Sequence, residues 1–222
     1  MTIAVVAEKP SVGRDLARVL GATTRGDGCL SGNGYVVTWA IGHLVALAEP
    51  HQMNPAWKQW RPDQLPILPD RWPLEVLPNT RGQFDCVARI LADKRVTEIV
   101  CATDAGREGE LIFRYLLEKC GVQKKVKRLW LSSLTDDAIK DAFGRLRDLS
   151  AYDGLADAAR GRSRADWLVG MNLTRAYTVT AGPDGEMVSV GRVQTPTLAM
   201  LVTRELAIRA FVPEPYVELR AT

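Results

Sequence analysis

At 222 residues the chain can form one large domain or two small ones, and its 46% hydrophobic and 25% charged content is ordinary for a soluble globular protein. No run approaches the roughly 20 apolar residues that span a bilayer, and the N-terminus has no basic leader and meets Glu8 early. A membrane span and a secretory signal are thus excluded, and a cytoplasmic location is expected. The net charge of +3 does not announce a nucleic-acid binder, but its distribution is uneven: Arg160, Arg162, Arg164, Arg175 and Arg192 crowd the C-terminal third, opposite an acidic focus at Asp104, Glu108 and Glu110. Cys29, Cys86, Cys101 and Cys120 lack C-x-x-C spacing and read as reduced core thiols, neither zinc ligands nor disulfides.

Residues 3–7 form a short apolar strand ended by Glu8 and Lys9. Pro10 suits a first helical turn, Val12, Leu16, Val19 and Leu20 make one helix face, and Gly21 stops the helix. Residues 29–47 read as strands around a Gly-Asn-Gly turn at 32–34. His43, after Trp39 within this stretch, reads as a hydrogen-bonded structural histidine more than as a general acid or base. Residues 53–78, rich in proline and tryptophan, should be an irregular, well-packed excursion. Phe84, Val87, Ala88 and Leu91 mark a helix leading into a strand at 96–100.

That strand ends in I-V-C-A-T-D-A-G-R-E-G-E-L-I-F (99–113), after which Leu111, Ile112, Tyr115 and Leu116 recur at helical spacing. Asp104, Glu108 and Glu110 therefore lie where a strand hands over to a helix, at the carboxyl edge of a sheet, where open α/β sheets hold ligands. Two readings stand for the acids: complementing the positive end of the helix, or binding a hard divalent cation such as Mg²⁺. Glu8 and Lys9 occupy the same kind of corner, and if the two strands are parallel neighbours the corners lie side by side.

A strand at 126–131 and a helix entered at Thr135 complete a β-α alternation. The fold class is α/β, a mostly parallel sheet flanked by helices. The alternation stops near 148–152, where a boundary separates a domain over 1–150 from a mainly helical, partial domain over 151–222. A long helix follows, carrying Arg162 and Asp166 as an i,i+4 pair. Residues 182–185 form a turn. Thr195 reads as the N-cap of another helix with Pro196 in its first turn, and Arg192 and Gln194 beside the free N–H groups make a phosphate cradle. Residues 211–222 alternate like a strand without a partner.

D-A-G-R-E-G-E-L-I at 104–112 resembles the acidic signature of the Toprim domain in type IA DNA topoisomerases. E-K-P-S at 8–11 resembles that domain's opening motif in the topoisomerase III branch, and V-G-R-V-Q-T-P-T-L at 190–198 resembles a third family motif outside it. R-A-D-W-L-V-G-M-N-L-T-R-A-Y-T (164–178) resembles the same branch, where the arginine matching Arg175 lies on the DNA path. The resemblance covers almost the whole chain.

It implies an enzyme that cuts one DNA strand by tyrosine attack, holds a 5′-phosphotyrosine, and reseals without a nucleotide cofactor. Glu8 and Lys9 would be catalytic, and Glu8, Asp104, Glu108 and Glu110 would hold Mg²⁺. Arg162, Arg175, Arg192 and Gln194 would bind single-stranded DNA through its phosphates, with the protein acting as a monomer. Two departures qualify this. The family's D-x-D-x-E has Gly106 at its second acid, so one ion is the safer expectation. None of Tyr35, Tyr115, Tyr152, Tyr177 or Tyr216 sits in the context of the family's nucleophile, so the chain is expected to be an N-terminal fragment unable to cleave DNA. A Toprim primase or nuclease, and a non-catalytic nucleic-acid-binding module, remain as alternatives.

Overall fold

The computed structural model describes residues 2–183 and 186–221. It divides into two compact units: residues 1–56 with 69–165, and residues 57–68 with 166–222. The division falls within a helix, later in the chain than the boundary expected near residue 150.

The first unit opens with β1 (Thr2–Ala7), α1 (Pro10–Leu20), β2 (Thr24–Gly26), β3 (Cys29–Gly32), β4 (Tyr35–Trp39), β5 (Val45–Leu47) and α2 (Pro50–Met53). It continues with β6 (Leu74–Val76), α3 (Arg81–Ala92), β7 (Val96–Ala102), α4 (Arg107–Cys120), β8 (Lys125–Arg128), α5 (Asp136–Phe143) and β9 (Arg147–Asp148). It closes on the first half of α6 (Asp153–Ala181). The main sheet runs β2-β3-β4-β1-β7-β8-β9, and β5 and β6 pair separately. β4, β1, β7 and β8 are parallel, as the alternation with helices predicts, but both edges are antiparallel. On the β2–β4 side the cause is local, because two-residue connections can only reverse the chain. Asn33 and Gly34 both take positive φ (48° and 79°), the conformation such a tight reversal requires.

β1 is the axis of this sheet. Ala4, Val5, Val6 and Ala7 are all fully buried, and their side chains alternate between two cores. Ala4 and Val6 join Leu91, Ile99, Phe113 and Leu116 of the α3 and α4 side. Val5 and Ala7 join Leu16, Ala17, Val100 and Ile139 of the α1 and α5 side. Helices on both faces explain why β1 and β7 read as continuous apolar runs rather than alternating ones.

The second unit contains the remainder of α6, α7 (Gln194–Arg209) and irregular segments. Side chains of α6 satisfy the backbone of those segments, which have no ladder of their own. Asn172 donates from Nδ2 to the Ile67 carbonyl at 3.0 Å and accepts the Ile67 N–H at 2.5 Å. The Thr174 hydroxyl does the same for Val190, at 3.2 and 3.0 Å. α7 begins at Gln194, with Pro196 in its first turn as expected. Thr195 lies inside the helix, however, and its hydroxyl accepts the Gly191 N–H at 3.1 Å, so Thr195 is not the cap. Residues 211–221 form no strand. The turn expected at 182–185 falls partly on Asp184 and Gly185, outside the described residues. Among the described residues no helix is long and apolar enough to cross a membrane.

Candidate active site

Parallel pairing of β1 with β7 in the register Ala7↔Ala102 brings the two strand ends level. The residues that follow must then meet, and they do. The Asp104 backbone N–H donates to Glu8 Oε2 at 3.1 Å, and Lys9 Nζ donates to Asp104 Oδ2 at 2.9 Å. Lys9 Nζ also lies 3.9 Å from Glu8 Oε1. β4 pairs with β1 on its other side, Ala7↔Trp39, so the loop after β4 reaches the same edge. From it the His43 Nε2 meets Glu108 Oε1 within hydrogen-bonding distance. His43 is hydrogen-bonded, as its sequence context suggests, but the partner is one of the candidate ligands. The signal that finds it is the strand order: every strand parallel to β1 delivers its following loop here.

Burial raises the Glu8 carboxyl above the usual glutamate value, and the charges of Asp104 and Glu108 add to the rise. The Asp104 N–H and Lys9 act in the opposite direction. Glu8 is only 8% exposed and is electrostatically coupled to both other acids. Lys9, exposed, is held above the ordinary lysine value by its hydrogen bond to Asp104 and then by the charges of Asp104 and Glu8.

The turn itself is fixed by Thr103 and Gly109. The Thr103 hydroxyl donates to the Gly109 carbonyl at 2.8 Å, and a Cβ on Gly109 would stand 2.3 Å from the Asp104 carbonyl oxygen. Only glycine lets α4 pack so closely over the acidic turn. Gly106 is the opposite case: its backbone is extended, and a Cβ there would meet nothing within 4 Å.

Glu110 does not join the pocket. It has no exposed surface; Arg114 Nε donates to its Oε1 at 2.8 Å and Arg128 Nε to its Oε2 at 3.1 Å. The helix period carries it to the buried side of α4, whereas Glu108, two residues earlier, faces out. Arg128, 1% exposed, also donates to the carbonyls of Thr103 at 2.7 Å and Asp104 at 2.8 Å, so Glu110 acts on the corner by anchoring the cation that holds it. Sequence reasoning missed Arg114, although it stands four residues after Glu110 on α4, and Arg128, because β8 shows no sign of an inward-pointing charge.

The oxygens of Glu8, Asp104 and Glu108 are the hard donors that Mg²⁺ takes, and three coupled carboxylates at one corner invite a counter-cation. Glu110, with both oxygens committed, does not fit. Among the described residues no three such groups are gathered into a ready metal cage, since Asp104 is turned to Lys9 and Glu108 to His43.

The predicted DNA contacts are spread differently. Arg162 is exposed on α6 in the first unit. In the second unit Arg192 pairs with Asp166, and Gln194 donates to the Ser189 hydroxyl at 2.7 Å. Asp166, expected to partner Arg162, carries the ion pair with Arg192. Arg175 is buried, donating to the Trp57 carbonyl at 2.8 Å with its guanidinium 5.2 Å from the Trp60 ring centre. That is a packing role, and it does not present Arg175 to a strand.

A family model for the Toprim domain matches residues 3–134, and one described as DNA topoisomerase matches residues 150–222. The chain belongs to the Toprim domain family. Its sequence is 54% identical over 213 residues to a protein named DNA topoisomerase 3 from Shouchella clausii, covering 96% of this chain and 29% of that one. It is 52% identical over 217 residues to DNA topoisomerase 3 of Bacillus subtilis, covering 98% and 29%. Within the family its likeness is therefore to the topoisomerase III branch of type IA topoisomerases, and it spans 29% of the length of these relatives. The structure of full-length topoisomerase I from Thermotoga maritima shares the fold, with a TM-score of 0.63 at 21% identity over 95% of this chain and 31% of that one.

Proposed function

We propose that this chain is the Toprim-bearing part of a type IA DNA topoisomerase of the topoisomerase III kind, acting in the cytoplasm as a monomer on single-stranded DNA. The observation that carries the proposal is the meeting of Glu8 and Lys9 with Asp104 across β1 and β7. On this reading Glu8, Asp104 and Glu108 hold one Mg²⁺, which when bound supplies positive charge to phosphate oxygens during resealing. Lys9, exposed at the rim, stabilises charge on the scissile phosphate. Glu8, its carboxyl raised by burial, either exchanges a proton with the 3′ oxygen that leaves and returns or, when ionised, binds the ion near it. The bond energy stays in the 5′-phosphotyrosine, so no nucleotide is required. The attacking tyrosine comes from another part of the polypeptide on the family pattern; here Tyr115 is buried and bonded to Ser163, and Tyr152 is stacked on Trp130. Arg162, Arg192 and Gln194 contribute phosphate contacts. A Toprim primase or nuclease shares the acids but leaves the topoisomerase match over 150–222 without a purpose.

The test is Mg²⁺ linkage. A cation that binds only the folded chain raises stability by about 2.7 kcal/mol at a hundred times its dissociation constant. Thermal melts should show this rise for the wild type and its loss in Asp104→Asn. No rise in the wild type refutes the metal site. A covalent adduct with a single-stranded oligonucleotide refutes the assignment of the tyrosine elsewhere.

A further inference from the structure

β8 ends at Arg128 on the same sheet edge as the acidic corner, and the chain continues beside β7, the Leu129 N–H donating to the Cys101 carbonyl at 2.9 Å. Leu129 is buried, but Trp130 is 43% exposed. The indole stacks on Tyr152, with ring centres 5.1 Å apart and planes 13° from parallel. The Arg128 guanidinium carbon lies 5.2 Å from the Trp130 centre and 6.0 Å from that of Tyr152. Arg128 therefore packs against both rings, and the exposed part of Trp130 borders open space. A cavity of about 580 Å³ opens here, lined by Trp130, Ser132, Asp141, Arg145, Arg147 and Tyr152 among others. Arg145 and Arg147 outnumber Asp141, which lies 3.5 Å from Arg145, and leave the rim with surplus positive charge.

A flat aromatic face, a hydroxyl and arginines around one cavity match the parts of a nucleotide: a ring to stack and a phosphate to neutralise. We propose that Trp130 is a stacking platform for one unpaired base of the bound strand, with Arg147 meeting the adjoining phosphate. The proposal rests on the reading that the chain acts on single-stranded DNA, and it adds a contact point to it. Its place has a mechanical sense. Arg128 flanks the Trp130–Tyr152 stack and also holds the carbonyls of Thr103 and Asp104. A base seated on Trp130 is thereby registered against the acidic corner by one guanidinium.

The experiment uses the 222-residue chain and single-stranded oligonucleotides carrying 2-aminopurine, read by fluorescence and anisotropy. Trp130→Ala should weaken binding about 5- to 150-fold, the range for losing one base–aromatic stack, and reduce the 2-aminopurine quench, while Trp130→Phe keeps most of both. Arg147→Ala should lower the salt slope by about 0.7. Because Trp130→Ala could disturb the stack with Tyr152, the wild type is also photocrosslinked to an oligonucleotide bearing 5-iododeoxyuridine, and a crosslink at Trp130 is expected. Wild-type affinity and quench in Trp130→Ala, with Arg192→Ala still weakened, overturn the platform and leave the proposed function standing. Crosslinks that form only elsewhere do the same. Absence of single-strand binding by the wild type overturns both.

Discussion

Replacing Glu110 by Gln separates the two roles that a carboxylate in this motif can hold. The substitution keeps the shape and removes the charge from a side chain with no exposed surface, whose two oxygens receive guanidinium N–H groups at 2.8 and 3.1 Å. Arg128 cannot follow it into water: it is 1% exposed and tied to four backbone carbonyls, those of Cys101, Thr103, Leu129 and Asp104. Removing one partner of a buried ion pair costs about 3–5 kcal/mol, and the surviving carbonyl contacts place this case near the lower bound. For a unit of this size a loss of about 3 kcal/mol corresponds to a Tm lower by about 6–12 °C. Urea unfolding followed by circular dichroism, with and without Mg²⁺, measures both effects. Glu108→Gln should lose less than about 1 kcal/mol, because its partner is a half-exposed histidine at the surface, yet it should forfeit the Mg²⁺ stabilisation that Glu110→Gln retains. A Glu110→Gln chain within about 1 kcal/mol of wild type that no longer responds to Mg²⁺ would make Glu110 a ligand and defeat the reasoning.

Gly109→Ala should destabilise by about 1–3 kcal/mol in the same unfolding assay despite alanine's better helix propensity, since the new methyl meets the Asp104 backbone at 2.3 Å. The Asp93 carboxyl is pulled down to about 2 by side-chain and then backbone hydrogen bonds from Arg95. Its folded value lies below the unfolded 3.8, so this contribution is present above that pH and is lost as pH falls through about 2. Melts across that window should show it for the wild type and not for Asp93→Asn. Burial pushes the Cys101 thiol up to about 11, so alkylation of the folded chain at pH 8 should spare Cys101 until denaturant is added, as peptide mass mapping would show.

The meeting of Glu8 with Asp104 is legible in the sequence because it needs only two apolar strands, each ended by a polar corner, and the rule that parallel neighbours deliver their loops to one edge. What escaped notice lay beyond local pattern. His43 sits in a third loop at that edge, but its place depends on β4 lying beside β1, which sequence spacing does not encode. Proximity in sequence groups Glu110 with Asp104 and Glu108, whereas the 3.6-residue period turns it to the opposite side of α4. The partner that fixes its fate, Arg128, is 18 residues away on another strand. Resemblance assigns Arg175 to DNA, but its tryptophan neighbours come from the proline-rich excursion, whose path no periodicity describes. The alternating tail at 211–221 shows the converse limit: period-two spacing is insufficient for a strand without an edge to pair with.

The openness at Gly106 has an evolutionary corollary. Its extended backbone and vacant surroundings mean that a single codon change to aspartate would add a fourth charge to the rim formed by Glu8, Asp104 and Glu108 without repacking anything beneath it. The number of acids at this corner is therefore free to drift, or be selected, independently of the scaffold that carries it.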